Sequence, residues 1–197
     1  MSLQQSSHRI KLSRPTVVTG PTTEPITLAE AKRQLFLSES DTSQDVALTS
    51  RIQAAREQWE HDTDGVLFTR TLSVTADQFG GREIELDSRP VTSITHLKYY
   101  DENDTLQTFS ATKYSLNAAD GKIELDWAES WPVTSIRWDA ITITYVTGYA
   151  TAATVPAIAK QAMLLLIAYY HYGNRGDNDR PNDNRAYEAL VRRYMRS

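Results

Sequence analysis

A chain of 197 residues with 40% hydrophobic and 23% charged content has an ordinary globular composition, enough for one sizeable core or two small lobes. Its formal net charge of −4, with no dense Lys/Arg run, disfavours sequence-independent nucleic-acid binding as the main activity, because such binding is driven by phosphate neutralisation. The absence of cysteine excludes disulfide frameworks, thiolate metal sites and Cys nucleophiles together.

The opening segment, MSLQQSSHRIKLSRP, has no apolar stretch of the kind a secretory signal requires. Residues 1–25 are polar and broken by Pro15, Pro21 and Pro25, which predicts an extended arm, either disordered alone or ordered on a neighbour. A first helix is expected from Thr27, since Thr27 and Glu30 have capping-box spacing ahead of Ala31, Leu35 and Phe36, and it should end near Leu37. The link SESDTSQ offers Asp41 or Ser43 as the cap of a second helix over 44–64, closed by Gly65. Along that helix Leu48, Ile52, Ala55 and Trp59 recur on one narrow stripe. Arg51, Arg56, Glu57 and Glu60 lie off the stripe and read as a solvated face, the Arg56–Glu60 pair contributing a few tenths of a kcal/mol at most.

After Gly65 the periodicity changes from helical to alternating. Leu72 and Val74, Ile84 and Leu86, Tyr114 and Leu116, Ile123 and Leu125, and Ile141, Ile143 and Tyr145 each place apolar side chains on one side of a strand. Gly80-Gly81, the loop Asp101–Asp104 and Asp120-Gly121 are turn signals, the last predicting a hairpin between 113–116 and 122–125. Residues 66–147 are thus expected to form a mainly antiparallel β insertion.

The third helix is expected over 156–172, with Pro156 at its first position and Gly173 as the left-handed residue just past its end. From Ala162 to Tyr170 every residue is apolar or aromatic, so most sides need cover, yet Lys160 and His171 leave the run too short for a membrane span. The cover must be protein, from this chain or from a neighbouring copy, and replacing Leu165 by Asp should abolish folding or assembly. After the polar break NRGDNDRPNDN, Tyr187, Leu190, Val191 and Tyr194 return to helical spacing, predicting a short helix over 185–195 that docks on the third helix or on another subunit. The fold class is α+β: a small helical bundle with a β insertion between helices two and three. The domain map is an arm at 1–25, a main domain at 26–175 and a C-terminal tail at 176–197.

The search for chemistry returns little. His8, His61, His96 and His171 are scattered and form no metal-binding spacing, and each reads as structural or surface. Asp177, Asp179, Asn182 and Asp183 give an oxygen-rich loop, but Pro181 interrupts it and the EF-hand pattern is not met, so it reads as a linker. No nucleophile elbow, phosphate loop or dinucleotide fingerprint is present, and no catalytic, cofactor or metal residue is nominated. Trp127, Trp131 and Trp138 cluster in DWAESWPVTSIRWDA, either plugging one end of the β region or forming an exposed anchor. The candidate subunit or partner interface is Trp127, Trp131, Trp138, Met163, Tyr169, Tyr170, Tyr187 and Tyr194.

Several stretches taken in order carry a resemblance: ITLAEAKRQL from Ile26, LTSRIQAAREQWEHDTDGVLFTRT from Leu48, SRPVTSITHLKYYDENDT from Ser88, WPVTSI from Trp131, and AITITYVTGYA leading into VPAIAKQAMLLLIAYYHYGNR. Over about residues 26–175 the chain resembles the head-to-tail connector proteins of tailed bacteriophages, also called adaptor or head-completion proteins. The resemblance implies a non-enzymatic virion protein of the neck, made in the host bacterial cytoplasm. It further implies a homo-oligomeric ring beneath the portal protein, most often dodecameric. Such a ring meets a tail or tail-completion protein and extends a channel through which DNA passes without specific binding. No cofactor and no membrane are implied, and residues 1–25 and 176–197 fall outside the matching pattern. The acidic balance suits such a channel, since a strongly basic lumen would grip phosphates.

Two other readings stay open. A carbohydrate- or ligand-binding β module would use Trp127, Trp131 and Trp138 to line an open groove. A hydrolase whose triad assembles only in space would place a His beside a carboxylate in a cleft.

Overall fold

The capping box forms as its spacing predicts. The Glu30 amide donates to Thr27 Oγ1 at 3.2 Å and the Thr27 amide donates to Glu30 Oε2 at 2.7 Å, opening helix α1 (Leu28–Gln34). In this computed structural model, which describes residues 10–173 and 184–196, the chain divides into a helical unit (Pro21–Phe68, Tyr149–Ser197) and a β unit (Met1–Gly20, Thr69–Gly148). Together they make an α+β protein of four helices and two antiparallel sheets among the described residues.

In the helical unit, α1 stops short of the expected end. Phe36 takes a positive φ of 57° and is 94% exposed, so it leaves the stripe it was expected to extend. Helix α2 (Asp45–Thr63) buries Leu48, Ile52, Ala55 and Trp59 as its spacing requires. Its first turn has no side-chain cap at Gln44; Asp41 instead accepts from the Ser43 amide at 2.9 Å, tying the link rather than the helix. Its left-handed terminal residue is Asp64, not Gly65; a short polar side chain tolerates that conformation. Helix α3 (Ala157–Tyr172) starts one residue after Pro156, and Gly173 stays right-handed at φ −70°, donating to the Tyr169 carbonyl, so the helical turn runs through it. Helix α4 (Arg185–Tyr194) docks on α2 and α3 of its own chain, which answers the question left open for its apolar stripe.

Most of the cover for α3 comes from within. Ala159, Ala162, Met163, Leu166 and Ile167 are buried in a cluster with α1, α2 and Tyr187, and Leu164, Ala168 and Tyr170 pack against its border. Of the two sources of cover left open, this chain or a neighbouring copy, the described residues supply most of it from this chain. Leu165, expected to be central, sits at intermediate exposure, one residue out of the buried register.

The Thr27 cap lends itself to a direct measurement. Burial raises the Glu30 pKa, but the Thr27 hydrogen bonds and the charges of Lys160 and Arg33 outweigh it and hold the carboxyl below its ordinary value. A group depressed in the folded state contributes stability above its unfolded pKa and loses it as pH falls through the folded value. Thr27→Ala should therefore cost about 1 kcal/mol in urea unfolding at neutral pH, and the gap to the parent chain should narrow once the solution is acidic enough to protonate Glu30.

In the β unit, strands β1 (Thr16–Thr19), β2 (Arg70–Ala76), β8 (Ile141–Thr147), β4 (Val91–Tyr100) and β5 (Leu106–Phe109) form one sheet in the order β1-β2-β8-β4-β5. Strands β3 (Glu83–Glu85), β7 (Lys122–Leu125) and β6 (Tyr114–Asn117) form a second. The predicted hairpin is β6–β7, turning at Gly121, whose φ of 62° suits glycine and where a Cβ would come within 3.0 Å of the Leu86 carbonyl. Leu72, Val74, Ile84, Leu86, Ile123, Leu125, Ile141, Ile143 and Tyr145 fill the core between them, with Leu116 at its border. The segment expected to be a free arm is partly sheet: β1 pairs antiparallel with β2, Ser13 bonds Thr75, and Ile10 is buried. A proline-broken segment can still supply an edge strand, because an edge needs backbone partners on one side only.

Candidate assembly surface

The eight residues singled out as an interface do not share one surface. Met163 is fully buried in the helical core, and Tyr187 is nearly so. Tyr187 fixes α4: its hydroxyl donates to Asp62 at 2.6 Å, its amide donates to the Asn184 side chain at 3.1 Å, and its ring meets Trp59 edge-on at 6.2 Å. Burial, reinforced by the Asp62 hydrogen bond and charge, drives the Tyr187 phenol pKa well upward, so it stays a neutral donor. Tyr194 lies 5.2 Å from the Trp59 ring, half-buried, and the neighbours Tyr169 and Tyr170, also half-buried, meet edge-on at 5.9 Å. These aromatics chiefly hold the helical unit together.

The three tryptophans part company. Trp131 stacks on Phe79 with ring centroids 4.7 Å apart and planes 1° from parallel, lies 5.2 Å from Phe109, and donates its indole N–H to the Gly81 carbonyl at 2.9 Å. It closes one end of the β core, as one of the two sequence readings expected. Trp127 and Trp138 instead stand 93% and 86% exposed, so the three indoles form no cluster. Proximity in sequence misled because the segment joining them is irregular, with a positive φ at Ala128, so neighbours in sequence do not share a face.

That loop, residues 126–140, is held down at several points. The Tyr100 amide donates to the Ala140 carbonyl, the Ser135 amide to the Tyr100 carbonyl, and the Asp139 amide to Asp77 Oδ1 at 2.9 Å. Arg137 bonds Asp104 at 2.9 Å and lies 3.9 Å over the Tyr100 ring. With its backbone fixed, the loop still turns Val133, Ile136 and Trp138 outward at 66%, 106% and 86% exposure. Ile136 and Trp138 line a shallow hollow with Asp77, Gln78 and Arg137. Isolated exposed apolar residues are ordinary; several on one anchored loop make this segment the candidate contact surface. Sequence reasoning missed Ile136 and Val133; the only signal for them was their place in the tryptophan-rich segment.

His171 Nδ1 lies 3.3 Å from Arg51 Nη1, and burial, then Lys98, lowers the His96 pKa. Among the described residues no group of three or more His, Asp and Glu is placed to hold a metal, and no helix is long and apolar enough to cross a membrane. His8 and the Asp177–Asp183 loop lie outside the described residues.

No protein-family model matches the chain, and no curated protein matches it. Solved structures do. A chain in the neck of an empty gene transfer agent (GTA) particle, computed with C6 symmetry, is 24% identical with a TM-score of 0.74, covering 92% of this chain and 95% of that one. A chain in the neck of a native GTA particle, computed with C12 symmetry, is 23% identical with a TM-score of 0.71, covering 92% and 94%. A third, in the virion of a native GTA particle, is 21% identical with a TM-score of 0.72 over 92% and 95%. Across more than nine-tenths of its length, this chain therefore has the fold of chains built into gene transfer agent particles and their necks.

Proposed function

We propose that this chain is a structural, non-catalytic component of a phage-like virion neck, assembling as a ring beneath the portal and joining the head to the tail. The supporting observation is the fold likeness along nearly the whole of both chains to components of necks computed with sixfold and twelvefold symmetry. On this reading the partners are further copies of the chain, the portal protein and a tail or tail-completion protein, and DNA passes through the lumen without specific binding. A closed ring needs heterologous contacts, one patch meeting an unlike patch on the next copy, and an anchored loop with outward apolar side chains supplies one such patch. The ligand-binding alternative loses support, because Trp131 is committed to the β core and cannot line a groove with Trp127 and Trp138.

The test is to isolate particles containing the chain and image their necks, with native mass measurement of the full chain alone and with portal. A ring of copies of the 22.2-kDa chain at the portal exit is expected. Particles that lack the chain, or that carry it as a single copy, would overturn the reading.

A further inference from the structure

The β unit carries two exposed apolar patches on different borders of one sheet. The first is the anchored loop with Ile136 and Trp138, beside the end of β2 at Asp77. The second is β1, an outermost strand whose Val17 and Val18 are 58% and 60% exposed and whose outer backbone edge has no strand partner among the described residues. The opposite edge, β5, exposes a single large apolar side chain, Leu106 at 49%. β1 is not a loose tail: the pairs with β2, the Ser13–Thr75 bonds and buried Ile10 hold it in place, so its outer face is presented ready-made. An exposed, rigid edge strand is a template for another chain, and two unlike patches that meet head to tail give each copy a neighbour on either side, as a closed ring requires.

Charge points the same way. From Lys11 to Gly20 the chain has two cations, Lys11 and Arg14, and no acid, and both cations are exposed. Of the three carboxylates from Asp126 to Asp139, Glu129 pairs with Lys113 and Asp126 accepts from Ser115; Asp139 and, at the hollow, Asp77 are exposed, while Arg137 pairs with Asp104. A basic edge and an apolar hollow beside the exposed carboxylates Asp77 and Asp139 are complementary to each other and not to themselves, which favours edge on hollow over like on like.

We propose that the hollow at Ile136 and Trp138 receives the β1 edge, Val17 and Val18 flanked by Lys11 and Arg14, of the next copy of this chain. This inference rests on the ring reading and assigns the two faces that close the ring. Trp138 is its anchor, a large indole whose burial supplies most of the contact energy, and the surrounding charges set register and orientation.

The chain contains no cysteine, so introduced thiols report without background. Full-length chains carrying Val18→Cys, Trp138→Cys or both are assembled with portal or recovered in particles, treated with a short bismaleimide and run denatured. Imaging of the same sample scores rings independently. The double variant should give a ladder of multimers up to the full ring, and a mixture of the two single variants should give dimers only. Rings without a ladder would overturn the assignment of faces while leaving the ring itself standing. So would dimers from Trp138→Cys alone, which signal a twofold contact, or capture by Trp138→Cys of a different protein. Absence of rings would sink the ring reading and this inference with it. In parallel, Trp138→Ala combined with Ile136→Ser should weaken association about thirtyfold, as loss of an interface anchor does, with an unchanged thermal midpoint because neither side chain is in the core. Unweakened association would count against the proposal.

Discussion

Leu166→Asp unfolds the helical unit. Leu166 is wholly buried between Met163 and Ile167 in the cluster that joins α1, α2 and α3. Removing a buried Leu side chain costs about 2–5 kcal/mol, and placing a carboxylate in the same apolar site costs several more, whether it stays charged or takes up a proton. Against a total stability of about 5–15 kcal/mol, the sum leaves little or nothing of the fold. Circular dichroism should show the helical signal sharply reduced at 25 °C and the cooperative helical transition lost. The informative control is Leu165→Asp on the neighbouring, only partly buried position. It should keep a cooperative transition with a lower midpoint, since a carboxylate there can reach water. Should the two variants behave alike, the buried register of α3 assigned here would be wrong.

Arg56→Ala is the second large effect, and it concerns a polar side chain. The Arg56 side chain is 9% exposed; Nε donates to Glu24 at 2.8 Å and Nη1 to Glu60 at 3.1 Å. Burial alone would lower its pKa, but the hydrogen bonds and charges of Glu24 and Glu60 reverse this and raise it, so the guanidinium remains charged. Glu60 also accepts from the Leu67 amide at 2.9 Å. One cation thus ties the segment entering the helical unit, at Glu24, to the segment leaving it, at Leu67. Removing the cation leaves the Glu24 and Glu60 carboxylates partly desolvated without their shared counter-ion, a change that costs about 3–5 kcal/mol when a buried pair is broken. Urea unfolding of the helical unit should shift by that amount. Adding Glu24→Gln to Arg56→Ala should recover part of the loss, because a neutral amide is less costly to leave unpaired than a carboxylate. A loss below about 1 kcal/mol would return Arg56 to the solvated face that helical periodicity alone assigned to it.

Arg56 shows where local pattern stops being informative. A helical wheel places it off the apolar stripe, which is correct, but says nothing of the residues from 24 and 67 that fold over that face. Strand β4 shows a second limit. It is the longest strand and lies between β8 and β5 in the sheet, yet its alternation is broken by register irregularities between Val91 and Ser93 and between Ile94 and His96. A bulge shifts which side chains face the core, so a period-2 search loses the strand. The candidate surface was half legible: a tryptophan-rich segment marked the right loop, while only the folded chain turned Trp131 inward and left Trp138 and Ile136 outside.

By itself the sequence determined the α+β class, the capping box at Thr27, the α2 stripe of Leu48, Ile52, Ala55 and Trp59, and the Gly121 hairpin. Each is set by neighbours within a few residues, through a repeat of side-chain direction or a φ that glycine accepts. Only the tertiary structure decided that residues 16–19 join the sheet, that α4 docks at home through Tyr187 and Asp62, and that Arg56 is an internal tie. Those outcomes depend on partners 32 to 125 positions away in sequence, and no local period records which distant group will arrive to satisfy a buried charge or an open strand edge.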